Sequence, residues 1–282
     1  MLLFYVYYDM LFILGLDGLE LTFVEKWGLE NLKQEQYGKV KVPINKEVGS
    51  PISPEVWAAF LTGKNLPINF VRTGMKAKIF EILKFIRKYV NLSLGLGRKF
   101  ETPRRFPKLK HETFIDITNS KEINAPFYSW DHDTFDFTFR RAKENLTLKQ
   151  VINELKSIYT KNKKRILKAV ETLRNVDVVF AYMHFPDVIH HHLFVRPSFI
   201  KQHYYDLDYY VLTLKEKLPN STTFIIVSDH GFDFTTGLHS NYGFYSSNVA
   251  LHPEPKEITD FYRIVLEYTR TLNTSRDQPY FK

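Results

Sequence analysis

The 282-residue chain is long enough to bury a large core, as one big α/β domain or as a domain with an inserted cap. Hydrophobic residues at 44% and charged residues at 25% exclude long disorder, and a net charge of +8 suits either attraction to anions or a lysine-rich solvated surface. The absence of cysteine excludes disulfides, thiolate zinc sites and cysteine nucleophiles, so a metal would have to be held by His, Asp, Glu and hydroxyl groups, a set suited to zinc, manganese or magnesium.

Residues 1–18, MLLFYVYYDMLFILGLDG, are strongly apolar. They lack a basic leader region and a small-residue cleavage site, Asp9 interrupts them, and they fall short of a membrane span. The expected location is therefore the cytoplasm, with no membrane partner. LFILGL, residues 11–16, reads as the first buried strand; what precedes it is an extra edge strand, or lies upstream of a true start at Met10. The strand ends at Asp17-Gly18, a carboxylate at the carboxyl rim of a sheet, which is either a turn residue or a ligand. A helix is expected over 21–32, then an extended KVKVPI segment.

In residues 50–63, SPISPEVWAAFLTG, Pro54 suits the first helical position and makes Ser53 the N-cap. Val56, Trp57, Phe60 and Leu61 form the apolar stripe, and Gly63 ends the helix. A cap is one reading of Ser53. As a nucleophile, its hydroxyl would sit at the positive end of the helix dipole, where phosphate binds readily, and would need a base or a metal to activate it.

Residues 76–90, KAKIFEILKFIRKYV, read as an amphipathic basic helix. Periodicity then fades through residue 145, and residues 75–145 are taken as an inserted cap with short strands. Within it Trp130-Asp131-His132-Asp133 mimics a ligand cluster, but no strand leads into it and it is read as a loop feature. A long helix over 146–175, capped by Asn145 or Thr147, leads to a buried strand DVVFAYM and then to HFPDVIHHH. Asp187 and His191, four apart, share a face of one helical turn. Three consecutive histidines diverge, which leaves His190 and His192 outside the site or behind it.

A helix over 198–218 feeds the strand FIIV, followed by Ser228-Asp229-His230-Gly231, with His239 returning to the same rim. A closing helix over 258–271 precedes a polar tail expected to fray. Strands alternating with helices predict a single α/β domain with a mainly parallel central sheet and helices on both faces. No internal repeat, phosphate-binding P-loop or dinucleotide fingerprint occurs. The strand ends and one helix start offer Asp17, Ser53, Asp187, His191, Asp229, His230 and His239, a suitable set for two divalent ions.

On LGLDG, PISPEVWAAFLTG, FPDVIHH, SDHGF and GLHSNYGFYSSN, in that order, the sequence resembles the alkaline phosphatase superfamily, in its type I phosphodiesterase/nucleotide pyrophosphatase branch. The resemblance implies two divalent ions, usually zinc, with manganese as the alternative. It implies one ion at Asp17, Asp229, His230 and the Ser53 oxygen, and the other at Asp187, His191 and His239. Ser53 would form a covalent intermediate with a small phosphate ester or a nucleotide. Two features depart from the branch. Threonine more often stands where Ser53 does, and after Thr62-Gly63 the chain reads KNLPINFVRTGM, where Asn65 and Asn69 are the candidates for holding phosphate. The Cys/Ser-x-Pro-x-Arg element of sulfatases is absent. Two other readings stay open: a phosphomonoesterase or mutase-like relative, and a non-catalytic basic protein that holds nucleic acid. Clustered carboxylates would repel phosphates in the last case, so no stable nucleic-acid complex is expected.

Overall fold

The computed structural model describes residues 10–67, 109–130 and 133–277. The apolar runs form strands β1 (Leu11–Leu16), β4 (Val178–Met183) and β5 (Thr223–Val227), every residue of which is buried. β1 lies between β4 and β5 and is parallel to both. Three further strands complete a six-stranded sheet in the order β2-β8-β5-β1-β4-β3. They are β2 (Gln36–Lys41), β3 (Ser120–Ile123) and β8 (Tyr242–Ser247). β3 is parallel to β4, whereas β8 runs antiparallel to both β5 and β2. The sheet is thus mainly parallel. The expected fold class holds.

Alternation along the buried strands sends side chains to two faces, and helices cover both. Phe12, Leu14, Val179, Ala181, Phe224 and Ile226 join one core cluster. Over it lie α1 (Leu21–Lys26), α2 (Glu30–Lys33), α6 (Leu148–Glu171), α7 (Asp187–Leu193) and α8 (Pro197–Lys217). Leu11, Ile13, Val178, Phe180, Ile225 and Val227 join the other, under α3 (Ser53–Thr62), α4 (Phe114–Ile117) and α9 (Asp260–Asp277). A side chain at Gly15 would approach the Trp57 ring to 3.0 Å, so the glycine lets α3 lie close on the sheet. Trp57 fills that space edge-on to Tyr182, with ring centroids 5.2 Å apart. Truncating so large a buried ring would cost about 3–5 kcal/mol. A short helix α5 (Asp133–Lys143) precedes α6, whose start is a capping box of Thr147 and Gln150.

Several expectations change. The helix foreseen over 21–32 is two short helices, because the chain takes a left-handed turn at Gly28 (φ 59°). Ser53 is the first helical residue, the cap position belongs to Ile52, and the Ser53 hydroxyl makes no capping bond. Residues 120–123, assigned to an inserted cap, form the edge strand β3 of the central sheet. Polar SKEI carries too little apolar signal to be read as a strand. The basic helix over 76–90, the segment before Met10 and the tail after 277 lie outside the described residues. No helix among the described residues is long and apolar enough to cross a membrane.

His203 on α8 is buried against Tyr159 and Phe185, and burial pushes its pKa down to about 4. The unfolded chain takes up a proton near pH 6.5 that the native imidazole refuses until pH falls to about 4. Stability therefore drops as pH falls through this window, His203 contributing about 2–3 kcal/mol of the loss between pH 7 and 4.5. Urea unfolding at the two pH values should show that the His203→Asn variant loses less stability than wild type by this amount.

Candidate metal centre

Asp17, Asp187, His191, Asp229 and His230 stand just past the carboxyl ends of buried strands, whereas Ser53 opens α3 and His239 comes from a hairpin. Asp17 stands immediately after β1. Its backbone N–H donates to the Met183 carbonyl (3.0 Å), and its own carbonyl accepts from the Asp187 N–H (2.9 Å), which ties the ends of β1 and β4 together. Gly18 follows at φ 73°, and a Cβ there would lie 2.7 Å from Asp187 Cβ. Asp229 follows β5; its Oδ1 accepts from the Gly18 N–H at 3.1 Å. Ser228 anchors this corner, accepting from the Leu19 N–H (2.8 Å) and donating to the His230 carbonyl (2.8 Å).

The Ser53 hydroxyl points into this cluster. Its Oγ lies 3.3 Å from Asp17 Oδ1 and 3.2 Å from His230 Nε2. His230 Nε2 is in turn 3.3 Å from Asp17 Oδ1 and 3.4 Å from Asp229 Oδ2. On α7, His191 Nε2 sits 3.2 Å from Asp187 Oδ1, one turn apart as the spacing implies. His239 enters from β7 (Leu238–Ser240), paired with β6 (Gly231–Asp233). Its Nε2 is 3.6 Å from the same Asp187 oxygen and 2.9 Å from His191 Nε2, and its ring stacks on His230 at 3.6 Å. Asp17, Asp187 and His230 converge within 4.8 Å, as do Asp187, His191 and His239. All seven residues singled out from the sequence therefore meet in one place.

The tautomers suit metal ligation. His239 Nδ1 lies 3.0 Å from the Pro51 carbonyl and His230 Nδ1 2.9 Å from the Gly231 carbonyl. A carbonyl can only accept, so each Nδ1 carries a hydrogen and each Nε2 faces inward as the atom that would ligate a metal. Neither Asp187 Oδ1 nor Asp229 Oδ2 receives a well-aligned hydrogen bond, although both are buried. The residues present thus fit divalent cations: three carboxylates and three imidazoles with inward-facing donor atoms.

Charge crowding shows in the protonation equilibria of the chain alone. Burial pushes the Asp229 carboxyl well up, and the neighbouring Asp17 carboxylate adds to it. Burial also works against ionisation of Asp187, but His191 and His239 outweigh it and hold that carboxyl well below its usual range. For Asp17, burial is overcome by His184 and His230, leaving its pKa lowered. Burial opposes the His230 imidazolium, yet Asp229 and Asp17 raise its pKa to about 10. Protons gather where cations would sit.

Three residues were not foreseen. Tyr182, buried at the end of β4, donates its hydroxyl to Asp17 Oδ2. His184 Nε2 lies 3.8 Å from Asp17 Oδ2 and 3.7 Å from Asp187 Oδ2. Glu20 is buried and accepts from the Phe232 N–H (2.9 Å) and the Tyr242 hydroxyl, fixing the β6–β7 hairpin that delivers His239. Gly231 leaves room for it, since a Cβ there would lie 2.3 Å from Glu20 Oε2. His190 and His192 stay outside, as the sequence implied: His190 packs against Tyr204 and Phe232, and His192 against Phe137. Asn65 is exposed past Gly63, beyond the opposite end from Ser53 of a helix about 15 Å long. Asn69, Asp131 and His132 lie outside the described residues.

The family model for type I phosphodiesterase / nucleotide pyrophosphatase matches residues 90–252, more than half of the chain. The chain belongs to that family. The matched stretch carries Asp187, His191, Asp229, His230 and His239; Asp17 and Ser53 precede it and join these five only in the folded chain. Among solved structures, the phosphodiesterase-family fold here is similar to alkaline phosphatase from the Antarctic bacterium TAB5. That match has 12% identity and a TM-score of 0.53, covering 94% of this chain and 99% of that one. Murine ectonucleotide pyrophosphatase / phosphodiesterase 5, an inactive form in complex with AMP, matches with 11% identity and a TM-score of 0.46. This chain is covered to 79% there and spans 57% of the murine one. No curated protein matches the sequence.

Because Gly18 leaves the space that Asp187 occupies at a positive φ, Gly18→Ala should displace that carboxylate. Divalent-metal affinity, read by titration with a zinc-competing chelator, is expected to fall about 10–100-fold, and unfolding stability by about 2 kcal/mol.

Proposed function

We propose that the protein is a metal-dependent hydrolase of phosphodiester or nucleotide pyrophosphate bonds, acting through a covalent intermediate on Ser53. The observation that carries this reading is the placement of the Ser53 Oγ, 3.3 Å from Asp17 Oδ1 and 3.2 Å from His230 Nε2, rather than on the backbone it would otherwise cap. Asp17, Asp229, His230 and Ser53 would hold one divalent ion, and Asp187, His191 and His239 the other, zinc or manganese suiting this nitrogen and oxygen set. Two such ions, when bound, lower the pKa of the serine hydroxyl and neutralise charge on the attacking and leaving oxygens.

The chain's own residues do the rest. Ser53, at the start of α3, presents its oxygen at the positive end of the helix dipole, where a phosphate is favoured. Oγ attacks phosphorus as the bond to the leaving oxygen breaks, and the hydroxyl proton passes to solvent. Water then cleaves the Ser53 phosphoester and regenerates the hydroxyl. Tyr182 and His184 hold the outer oxygens of Asp17 and Asp187, so that their inner oxygens face the site. In this reading the substrate is a small phosphate ester or nucleotide, and the setting is the cytoplasm.

Bis-p-nitrophenyl phosphate should be turned over faster than p-nitrophenyl phosphate, and EDTA should abolish the activity until zinc or manganese is restored. Ser53→Ala should lower kcat by about a thousandfold or more. Turnover that survives EDTA or the substitution would reject the mechanism, and faster hydrolysis of the monoester would favour a phosphomonoesterase.

A further inference from the structure

The two ligand sets are held to the fold in different ways. Asp17, Asp229 and His230 are fully buried at the ends of core strands. In the other set the His191 side chain keeps 42% of its exposure and His239 19%, and His239 reaches the rim on the β6–β7 hairpin. The hairpin must therefore be held at the distance from α7 at which both imidazoles meet Asp187. The residue placed to hold it is His190, which the chemistry above does not use.

His190 precedes His191 on α7 and is completely buried. Its ring lies 4.9 Å from that of Phe232 on β6 and stands edge-on to that of Phe234 at 5.1 Å, in the turn that follows. Phe232 is paired directly opposite His239, and its ring meets His191 edge-on at 5.4 Å. One phenylalanine thus neighbours both ligands, and His190 backs it from α7.

A second hold reaches the same hairpin. The Tyr204 ring of α8 stacks on His190 at 5.7 Å, and the Tyr204 hydroxyl lies 3.2 Å from His190 Nε2. That hydroxyl also accepts from the Glu20 N–H at 2.9 Å. Glu20 Oε2 in turn accepts from the Phe232 N–H (2.9 Å) and from the Ser240 hydroxyl, next to His239 (3.3 Å). The ring of His190 and the carboxylate of Glu20 therefore grip one hairpin, and Tyr204 joins the two. A phenylalanine could fill the place of His190, but it would leave the buried Tyr204 hydroxyl short of a partner.

We propose that His190 is a positioning residue for the second ligand set, clamping the β6–β7 hairpin to α7 so that the Nε2 atoms of His191 and His239 stay together beside Asp187. The first set stands without this clamp. The inference rests on the two-ion reading above and deepens it, since it makes the affinity of one ion depend on a residue that touches neither.

Two measurements test the clamp. In the metal-free protein, His190→Ala should speed amide hydrogen exchange across residues 231–240 while β1 and β5 stay protected. In zinc titrations against a competing chelator, wild type should show two sites, and His190→Ala should weaken the second by about tenfold or more with the first unchanged. Tyr204→Phe keeps every ring and removes one hydroxyl, so the fold should survive it and the second ion should bind about threefold more weakly. If the second ion binds both variants as tightly as wild type, or if both sites weaken together, the proposal is overturned and the hydrolytic reading stands. Failure of wild type to bind two zinc ions overturns both.

Discussion

Three carboxylates buried within reach of one another are the constraint around which the rest of the molecule is arranged. Asp17, Asp187 and Asp229 have almost no exposure to water, and an isolated buried carboxylate is too costly to persist without compensation. Three imidazoles, at His191, His230 and His239, surround them with their Nε2 atoms turned inward. The chain alone resolves the crowding by collecting protons. Divalent ions would resolve it with more charge per site and in fixed positions, and the same ions would activate the Ser53 hydroxyl.

The sheet makes that crowding affordable because its geometry is rigid where the carboxylates stand. β1, β4 and β5 are adjacent, parallel and fully buried, so their carboxyl ends open side by side. Backbone bonds from Asp17 to Met183 and Asp187, and the Gly18 N–H donating to the Asp229 carboxylate, fasten these ends to each other. α3 brings Ser53 to the same edge because Trp57 packs into the space left by Gly15. His239 depends on a short hairpin with little core of its own, and buried Glu20 supplies the anchorage. Placement of these side chains is thus a consequence of core packing, with few residues spent on the site alone.

Much of this was legible because strands buried on both faces announce themselves as unbroken apolar runs, and the residue after each run must lie at the rim. Asp17, Asp229 and His230 were found in that way, and Asp187 and His191 by their helical spacing. Ser53 was singled out too, although a serine before a proline looks the same whether it caps a helix or faces a cluster, and the fold turns its hydroxyl away from the backbone. What escaped has physical reasons. Tyr182 is hidden in the apolar run that forms β4, where an aromatic residue needs no further explanation. Glu20 acts across more than two hundred residues of sequence, on Phe232 and Tyr242, and no local pattern reports such a contact. β3 is a polar edge strand whose pairing is decided by its neighbour β4 rather than by its own composition.

The account stands on the two ligand sets each holding a cation beside Ser53, and anomalous scattering at the zinc edge from crystals of the zinc-loaded protein tests this most directly. The expected result is two peaks about 4 Å apart. One should lie against Asp17, Asp229, His230 and Ser53, the other against Asp187, His191 and His239. A single peak, or zinc bound away from the Ser53 hydroxyl, would contradict it.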